Sequence, residues 1–285
     1  MVYLKENKIY ITEDLYYTIH RLKNRLIFAP CEVLKYKQRC FLNAIRWSFP
    51  LDLDTQRCAE IHTGKKWILK MDIKHFYASV PYSDIKNFIK IVCKNIENAN
   101  VNYYIDITTV NGKLPTGAPT SAYIADNCFK KADLAIQSYC NVFSVSYSRY
   151  MDDLTFSSDN KQVLKKIELK VREILSANGY RLNKKKLKYI SSNKQQNILG
   201  LIVNYGKVRI NNKEKRRIRA MLHSYVISIS NSRNKDLKNC FWDYYQKEKL
   251  KGYIAYIQHV DNEYYQRLKN YANKLSLKYN VDTLF

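Results

Sequence analysis

Hydrophobic positions along this chain recur at two different periods. Leu34, Gln38, Phe41, Leu42 and Ile45 share one face of a helix predicted from Glu32 to about Phe49. Trp67-Ile68-Leu69-Lys70-Met71-Asp72-Ile73 is a short apolar run of the kind a buried strand needs, and a carboxylate sits near its end. Ser83 is a good N-cap for a helix carrying Ile85, Phe88, Ile89 and Val92. Residues 101–112 read as a small hairpin turning at Asn111-Gly112. Leu114 to Ser121 is a loop, and a long helix over roughly 121–138 follows it. Phe143 to Ser158 reads as two strands folded at Met151-Asp152-Asp153. Val163, Ile167, Val171, Ile174 and Leu175 return to helical spacing, with Gly179 as the stop. The last third is helical: Ile218, Met221, Leu222, Tyr225 and Ile229 form one stripe, and Leu250, Tyr253, Ile254 and Ile257 another. Near the start, a basic stretch from His20 to Arg25 leads into an extended run, Leu26 to Pro30. Strands and helices interleave in a split α+β pattern.

Charge adds the first functional constraint. The 285 residues hold 49 Lys and Arg against 25 Asp and Glu, a formal net charge of +24. Such a chain suits a polyanion, nucleic acid foremost; an anionic membrane surface or a merely solvated basic face are the other readings. The 25 tyrosines supply rings on which unpaired bases can stack, although packing claims most of them. Cysteines at 31, 40, 58, 93, 128, 140 and 240 are odd in number and contain no C-x-x-C pair. That fits free thiols in a reducing cytoplasm better than a zinc site or disulfide framework. The first eight residues lack the apolar core of a signal peptide, and no run approaches the ~20 apolar residues of a membrane span.

Asp72 at a strand end and Asp152 at a hairpin tip are 80 positions apart, so only the fold can unite them. Two carboxylates converging from separate strands are what a pair of hard divalent cations requires for nucleotidyl transfer. An isolated Asp-Asp pair also suits a tight turn. Here the pair follows apolar alternation and Tyr150 and precedes Leu154 and Phe156, which puts two like charges beside a hydrophobic sheet and favours a cation between them.

Several blocks in order resemble one known family. They are Met71-Asp72-Ile73-Lys74-His75-Phe76-Tyr77-Ala78-Ser79-Val80, Leu114-Pro115-Thr116-Gly117-Ala118-Pro119-Thr120-Ser121 and Tyr150-Met151-Asp152-Asp153. Leu182-Asn183-Lys184-Lys185-Lys186 and Leu199-Gly200-Leu201-Ile202-Val203-Asn204 follow. This order is similar to that of bacterial reverse transcriptases, the retron type most closely, from about Arg25 onwards. Cys58-Ala59-Glu60-Ile61-His62 keeps the Ala and His of a retron signature but replaces its Asn, and Ile198-Leu199-Gly200 keeps only the Gly of a second one.

The resemblance implies a right-hand polymerase: fingers at 1–66 and 83–112, a ferredoxin-like palm at 67–82 and 113–205, and a helical thumb at 206–285. It implies that Asp72, Asp152 and Asp153 are catalytic. With the Ile73 carbonyl they would hold two Mg²⁺ ions, for which Mn²⁺ could substitute. Arg25 would clamp the triphosphate, assisted by Lys23. Phe76, Tyr77, Thr116 and Gly117 would meet the nucleotide, with Tyr77 as the gate against a 2′-hydroxyl; many relatives carry Gln in place of Thr116. Met151, His62, Gly200, Asn204, Lys213, Arg216, Arg217 and Arg219 would contact nucleic acid, the last four within or beside a stretch, 181–220, holding 13 Lys or Arg and one acid, Glu214. The implied substrates and partners are dNTPs, a cognate structured non-coding RNA acting as template and primer, its RNA-linked DNA product, and a separate effector protein. The implied setting is anti-phage defence in the cytoplasm, away from membranes. A defence-associated enzyme outside the retrons, or an inactive RNA-binding scaffold, are the other readings.

Overall fold

The computed structural model describes residues 3–5, 7–22, 25–46, 54–230 and 237–281. Its strands in chain order are β1 (Tyr3–Lys5), β2 (Lys8–Tyr10), β3 (Tyr16–Leu22), β4 (Arg25–Pro30), β5 (Trp67–Asp72), β6 (Ser146–Tyr150), β7 (Asp153–Ser158), β8 (Lys188–Ser191), β9 (Asn197–Ile198), β10 (Leu201–Ile202) and β11 (Arg209–Ile210). Its helices are α1 (Glu32–Ile45), α2 (Thr55–Glu60), α3 (Phe76–Ser79), α4 (Tyr82–Cys93), α5 (Val101–Thr108), α6 (Ser121–Val142), α7 (Lys161–Ala177), α8 (Asn212–Ser230), α9 (Leu237–Val260) and α10 (Asn262–Tyr279). None of the described helices is long and apolar enough to cross a membrane. The chain divides into two compact units, residues 1–54 with 66–190, and residues 55–65 with 191–285. Residues 55–65 join the C-terminal unit, whose remaining residues begin at 191.

In the first unit a sheet of order β6-β7-β5-β8 lies at the centre. With α6 between β5 and β6, and α7 between β7 and β8, this is the βαββαβ ferredoxin-like arrangement. Ile68, Leu69, Met71, Leu154 and Phe156 of the central strands are buried, together with Phe129 and Ile136 of α6 and Ile167 and Val171 of α7. A second sheet, β1-β2-β3-β4, is antiparallel throughout and packs one face against α1 and α5. There the buried Tyr17 hydroxyl donates to the Ile107 carbonyl at 3.2 Å.

Three local expectations change. Residues 101–108 form α5 rather than a strand, because the Asn100 side chain accepts from the Tyr103 amide and caps a helix whose Ile105 and Ile107 turn into the core. The Asn111-Gly112 turn survives as a tight loop bridged by Val110 and Lys113. Helix α4 starts two residues earlier than a Ser83 cap would place it, after Pro81, and Ser83 bonds to Asp84 instead of capping. Helix α1 ends at Ile45, and Phe49 lies outside the described residues.

The C-terminal unit holds α2, a small sheet of order β11-β10-β9, and α8, α9 and α10. Asp261 organises the start of α10. Its side chain accepts from the amides of Tyr264 and Ile210, both at 3.1 Å, and pairs with Lys215 at 2.7 Å.

Candidate active site

Strand β5, an inner strand of this sheet, ends on Asp72, 5% exposed. Its register sets Asp72 opposite Asp153, which in turn pairs with Tyr150 of β6. Between them Met151 takes a left-handed conformation, φ 54°, which folds the hairpin. The Ile73 amide donates to the Asp152 carbonyl at 2.9 Å and closes the tip onto β5. On the other side, the Asn183 amide donates to the Asp72 carbonyl at 2.8 Å, and the Lys74 amide to the Arg181 carbonyl at 2.7 Å. Backbone on both flanks thus fixes Asp72, Asp152 and Asp153 together.

The carboxylates feel one another. Burial raises the pKa of Asp152, as do the charges of Asp72 and Asp153; a backbone hydrogen bond and Lys186 pull the other way. Lys186, in a 3-10 turn at Lys184–Lys186, places its ammonium on the Asp72 carboxylate. The sequence pattern named its segment but gave no reason to single it out. Among the described residues, no three His, Cys, Asp or Glu side chains form a closed metal cage. Asp72, paired with Lys186, and the half-buried Asp152 offer the hard oxygen donors that suit Mg²⁺, which binds through one or two carboxylates plus substrate phosphates.

A second feature behind the hairpin was not anticipated. Arg149 precedes Tyr150-Met151-Asp152-Asp153 and its side chain is buried. Its guanidinium donates to Asp133 at 2.6 and 2.8 Å and to Asp126 at 2.8 Å, both on α6. It also donates to the Met151 carbonyl at 3.3 Å and lies 4.8 Å from the Phe129 ring centre. The Tyr147 hydroxyl donates to Asp133 at 2.5 Å. Burial opposes the charge on Arg149, but Asp133 and Asp126 outweigh it and raise the pKa. The only sequence signal was an arginine in the strand immediately before Tyr150.

Around this centre, Tyr77 of α3 is half-buried, and its hydroxyl pKa is raised by burial and by Asp152 and Tyr150. That puts its hydroxyl near the hairpin at Met151-Asp152. Phe76 is a correction: its ring is buried, 5.6 Å from Phe129 and 6.1 Å from Tyr180, so it packs the core instead of facing a nucleotide. The Thr116 carbonyl accepts from the Phe28 amide at 2.8 Å, which joins the loop to β4. Gly117 has φ 118°, and a Cβ there would stand 2.7 Å from the Phe28 carbonyl oxygen. Its lack of a side chain is therefore required by the approach of β4. Arg25 is exposed at the start of that strand, three residues before Phe28, about 10 Å along the chain. Lys23 lies outside the described residues.

The remaining expected contacts belong to the C-terminal unit, and two are corrected there. His62 is fully buried, and burial lowers its pKa to about 3, so a neutral imidazole packs the unit rather than meeting RNA. Asn204 spends its side chain on its own chain: it accepts from the Gln196 amide at 2.8 Å and donates to the Ser192 and Lys194 carbonyls at 3.1 Å. Gly200 is exposed, and with Leu199 (φ 50°) its φ of 90° forms the β9–β10 turn. Lys213, Arg216, Arg217 and Arg219 are exposed along α8. Arg217 donates to Glu214 and the Tyr253 hydroxyl, and Arg219 lies 4.1 Å from the Tyr271 ring centre.

Residues 16–203 match the family model described as reverse transcriptase (RNA-dependent DNA polymerase). The chain belongs to the reverse transcriptase family. Among curated proteins it is similar to the Escherichia coli "Retron Ec86 reverse transcriptase", 26% identical over 96% of this chain and 85% of that protein. It is also similar to the Escherichia coli "Retron Ec48 reverse transcriptase", 26% identical over 76% of this chain and 52% of that protein. Among solved structures, a foamy viral protease-reverse transcriptase in complex with double-stranded DNA shares the fold, with TM-score 0.50 and 14% identity over 84% of this chain and 35% of that one. The right-hand polymerase class, the RNA-directed DNA polymerase activity and the retron-type resemblance expected from the motifs agree with these matches.

Proposed function

We propose that this reverse transcriptase belongs to a retron: it copies a cognate structured non-coding RNA into single-stranded DNA that stays linked to RNA, with dNTPs as substrates and a separate effector protein as partner, in anti-phage defence in the cytoplasm. The observation that carries the chemistry is the union of Asp72 with Asp152 and Asp153 where the two inner strands of the sheet end, the half-buried Asp152 carboxyl held above its usual pKa by burial and by the charges of Asp72 and Asp153. Asp72, Asp152 and the Ile73 carbonyl would hold two Mg²⁺ ions, with Asp153 beside them. When bound, these ions activate the primer hydroxyl and steady the departing pyrophosphate. Tyr77 orients the sugar from beneath and excludes a 2′-hydroxyl. Arg25 meets the triphosphate from the loop side, and the Thr116-Gly117 loop backs the nucleotide. Lys186 neutralises Asp72 until substrate and metal arrive. Lys213, Arg216, Arg217 and Arg219 follow backbone phosphates, and Met151 supports the primer end. Fingers, palm and thumb follow the division drawn from the sequence.

The retron reading rests on the curated relatives, all named as retron enzymes in the two comparisons above. It is tested on nucleic acid that co-purifies from the native host, digested separately with ribonuclease and deoxyribonuclease. A species shortened by both, and lost in an Asp152→Asn strain, is expected. RNA alone, or DNA without an RNA branch, would reject the retron reading in favour of another defence-associated enzyme or a scaffold.

A further inference from the structure

Asp72 and the cation on it are unequally exposed. The Asp72 side chain is 6% exposed, whereas the Lys186 side chain that contacts it is 46% exposed. The backbone beneath the pair is fixed. The Asn183 amide donates to the Asp72 carbonyl at 2.8 Å, the Lys186 amide donates to the Asn183 carbonyl at 3.0 Å, and Ile73 bridges Leu182. The Asn183 side chain accepts from the Lys185 amide at 3.3 Å and closes the 3-10 turn. A lysine carries its charge on a flexible four-carbon stem, so the ammonium can leave Asp72 through solvent while the turn stays in place.

The charge of Lys186 reaches past Asp72. It also acts on Asp152, against the repulsion that Asp72 and Asp153 exert there. One monovalent cation on the protein itself thus serves the carboxylates on which the metal reading rests. An ammonium and a divalent ion on the same carboxylate repel each other across a few ångströms, and at a side chain as buried as Asp72 water screens that repulsion poorly.

We propose that Lys186 is a resident competitor for the metal site: it holds the Asp72 carboxylate in the metal-free protein, lowers the affinity of that carboxylate for divalent cations, and swings into solvent when one binds. The proposal rests on the reading of Asp72 and Asp152 as metal ligands. It adds a regulation of that site, in which a side chain of the protein sets how readily the site loads.

The test uses the full-length protein without nucleic acid or dNTP, with Mn²⁺ as the probe and free Mn²⁺ read by electron paramagnetic resonance. Wild type, Lys186→Gln, Lys186→Arg and Asp72→Asn are titrated in parallel. Lys186→Gln removes the charge from a half-exposed side chain and is expected to bind Mn²⁺ about three- to tenfold more tightly than the wild type. Lys186→Arg keeps the charge and is expected to bind no more tightly than the wild type. Asp72→Asn is expected to lose the site. A second measurement needs no variant: reductive methylation of the wild type, read by peptide mass spectrometry, is expected to rise at Lys186 when Mn²⁺ is added, while the exposed Lys184 and Lys185 stay constant. A Lys186→Gln protein with an unchanged circular dichroism spectrum, whose Asp72-dependent site binds Mn²⁺ as the wild type does, would overturn the proposal and leave the metal site standing. So would unchanged labelling of Lys186 at saturating Mn²⁺. Mn²⁺ binding that Asp72→Asn does not alter would count against Asp72 as a metal ligand, and the competitor role would fall with it.

Discussion

Replacing Arg149 with Met would leave two carboxylates behind the Met151-Asp152 hairpin without their cation. The side chains of Asp126 and Asp133 are 10% and 25% exposed, so water can replace little of what the guanidinium supplies. Breaking a buried pair in this way costs about 3–5 kcal/mol. The Phe129 contact and the hydrogen bond to the Met151 carbonyl are lost as well. That last bond bears on function, since Met151 sits in a left-handed conformation one residue before Asp152. A displacement of about 1 Å at such a tip can cost about a hundredfold in rate. Urea unfolding and single-nucleotide incorporation on a primed RNA template measure the two effects separately. Arg149→Lys retains the charge but not the fork, so it should recover most of the stability and less of the rate. Arg149→Met combined with Asp126→Asn and Asp133→Asn should regain stability over Arg149→Met alone, because no buried charge is orphaned. If Arg149→Met unfolds within about 1 kcal/mol of the wild type and incorporates at the same rate, the clamp is not what holds the hairpin.

Three further outcomes follow from the same geometry. Tyr77→Val should raise ribonucleotide incorporation relative to deoxyribonucleotide, read from the ratio of kcat/KM values; an unchanged ratio would put the gate elsewhere. Gly117→Ala should destabilise the protein by about 1–2 kcal/mol through its positive φ alone, and by more through contact with the Phe28 carbonyl, which denaturant melts measure without any substrate. His62 has a folded-state pKa below its unfolded value, so its contribution is present above about pH 6.5 and is lost as the pH falls toward 3. His62→Phe should flatten that acid limb by up to about 1.4 kcal/mol per pH unit, while leaving RNA affinity at neutral pH unchanged.

How far the sequence could be read depended on whether a residue's neighbours were local. The palm was legible because the run ending at Asp72 and the hairpin at Met151-Asp152-Asp153 each announce a strand, and the loop chemistry between them is local. Residues 101–108 were misread because Val101, Tyr103, Ile105 and Ile107 alternate like a strand, and the cap that decides for a helix is one side chain, Asn100. The first three strands were missed for the opposite reason. Tyr16, Thr18 and His20 face outward and polar, so their apolar alternation is weak, and the face is recognisable only once β2 and β4 lie beside them. Lys186 and Arg149 could not be singled out from composition, since each is one cation among 49 and acquires meaning only from carboxylates brought to it by folding. His62 and Asn204 fell on resemblance motifs, but burial and hydrogen bonds to their own chain account for both.

Whether Asp152 stands at the catalytic centre is tested most directly by comparing Asp152→Asn with the wild type for Mg²⁺-dependent incorporation on a primed RNA template, with melting temperature and RNA affinity measured on the same preparations. The folded-state pKa of Asp152 lies above its ordinary value, so its ionised form opposes folding as the pH rises through that value. The expected result is no incorporation, unchanged RNA affinity and a melting temperature at neutral pH equal to or above that of the wild type. Retained synthesis by a folded Asp152→Asn protein would contradict it.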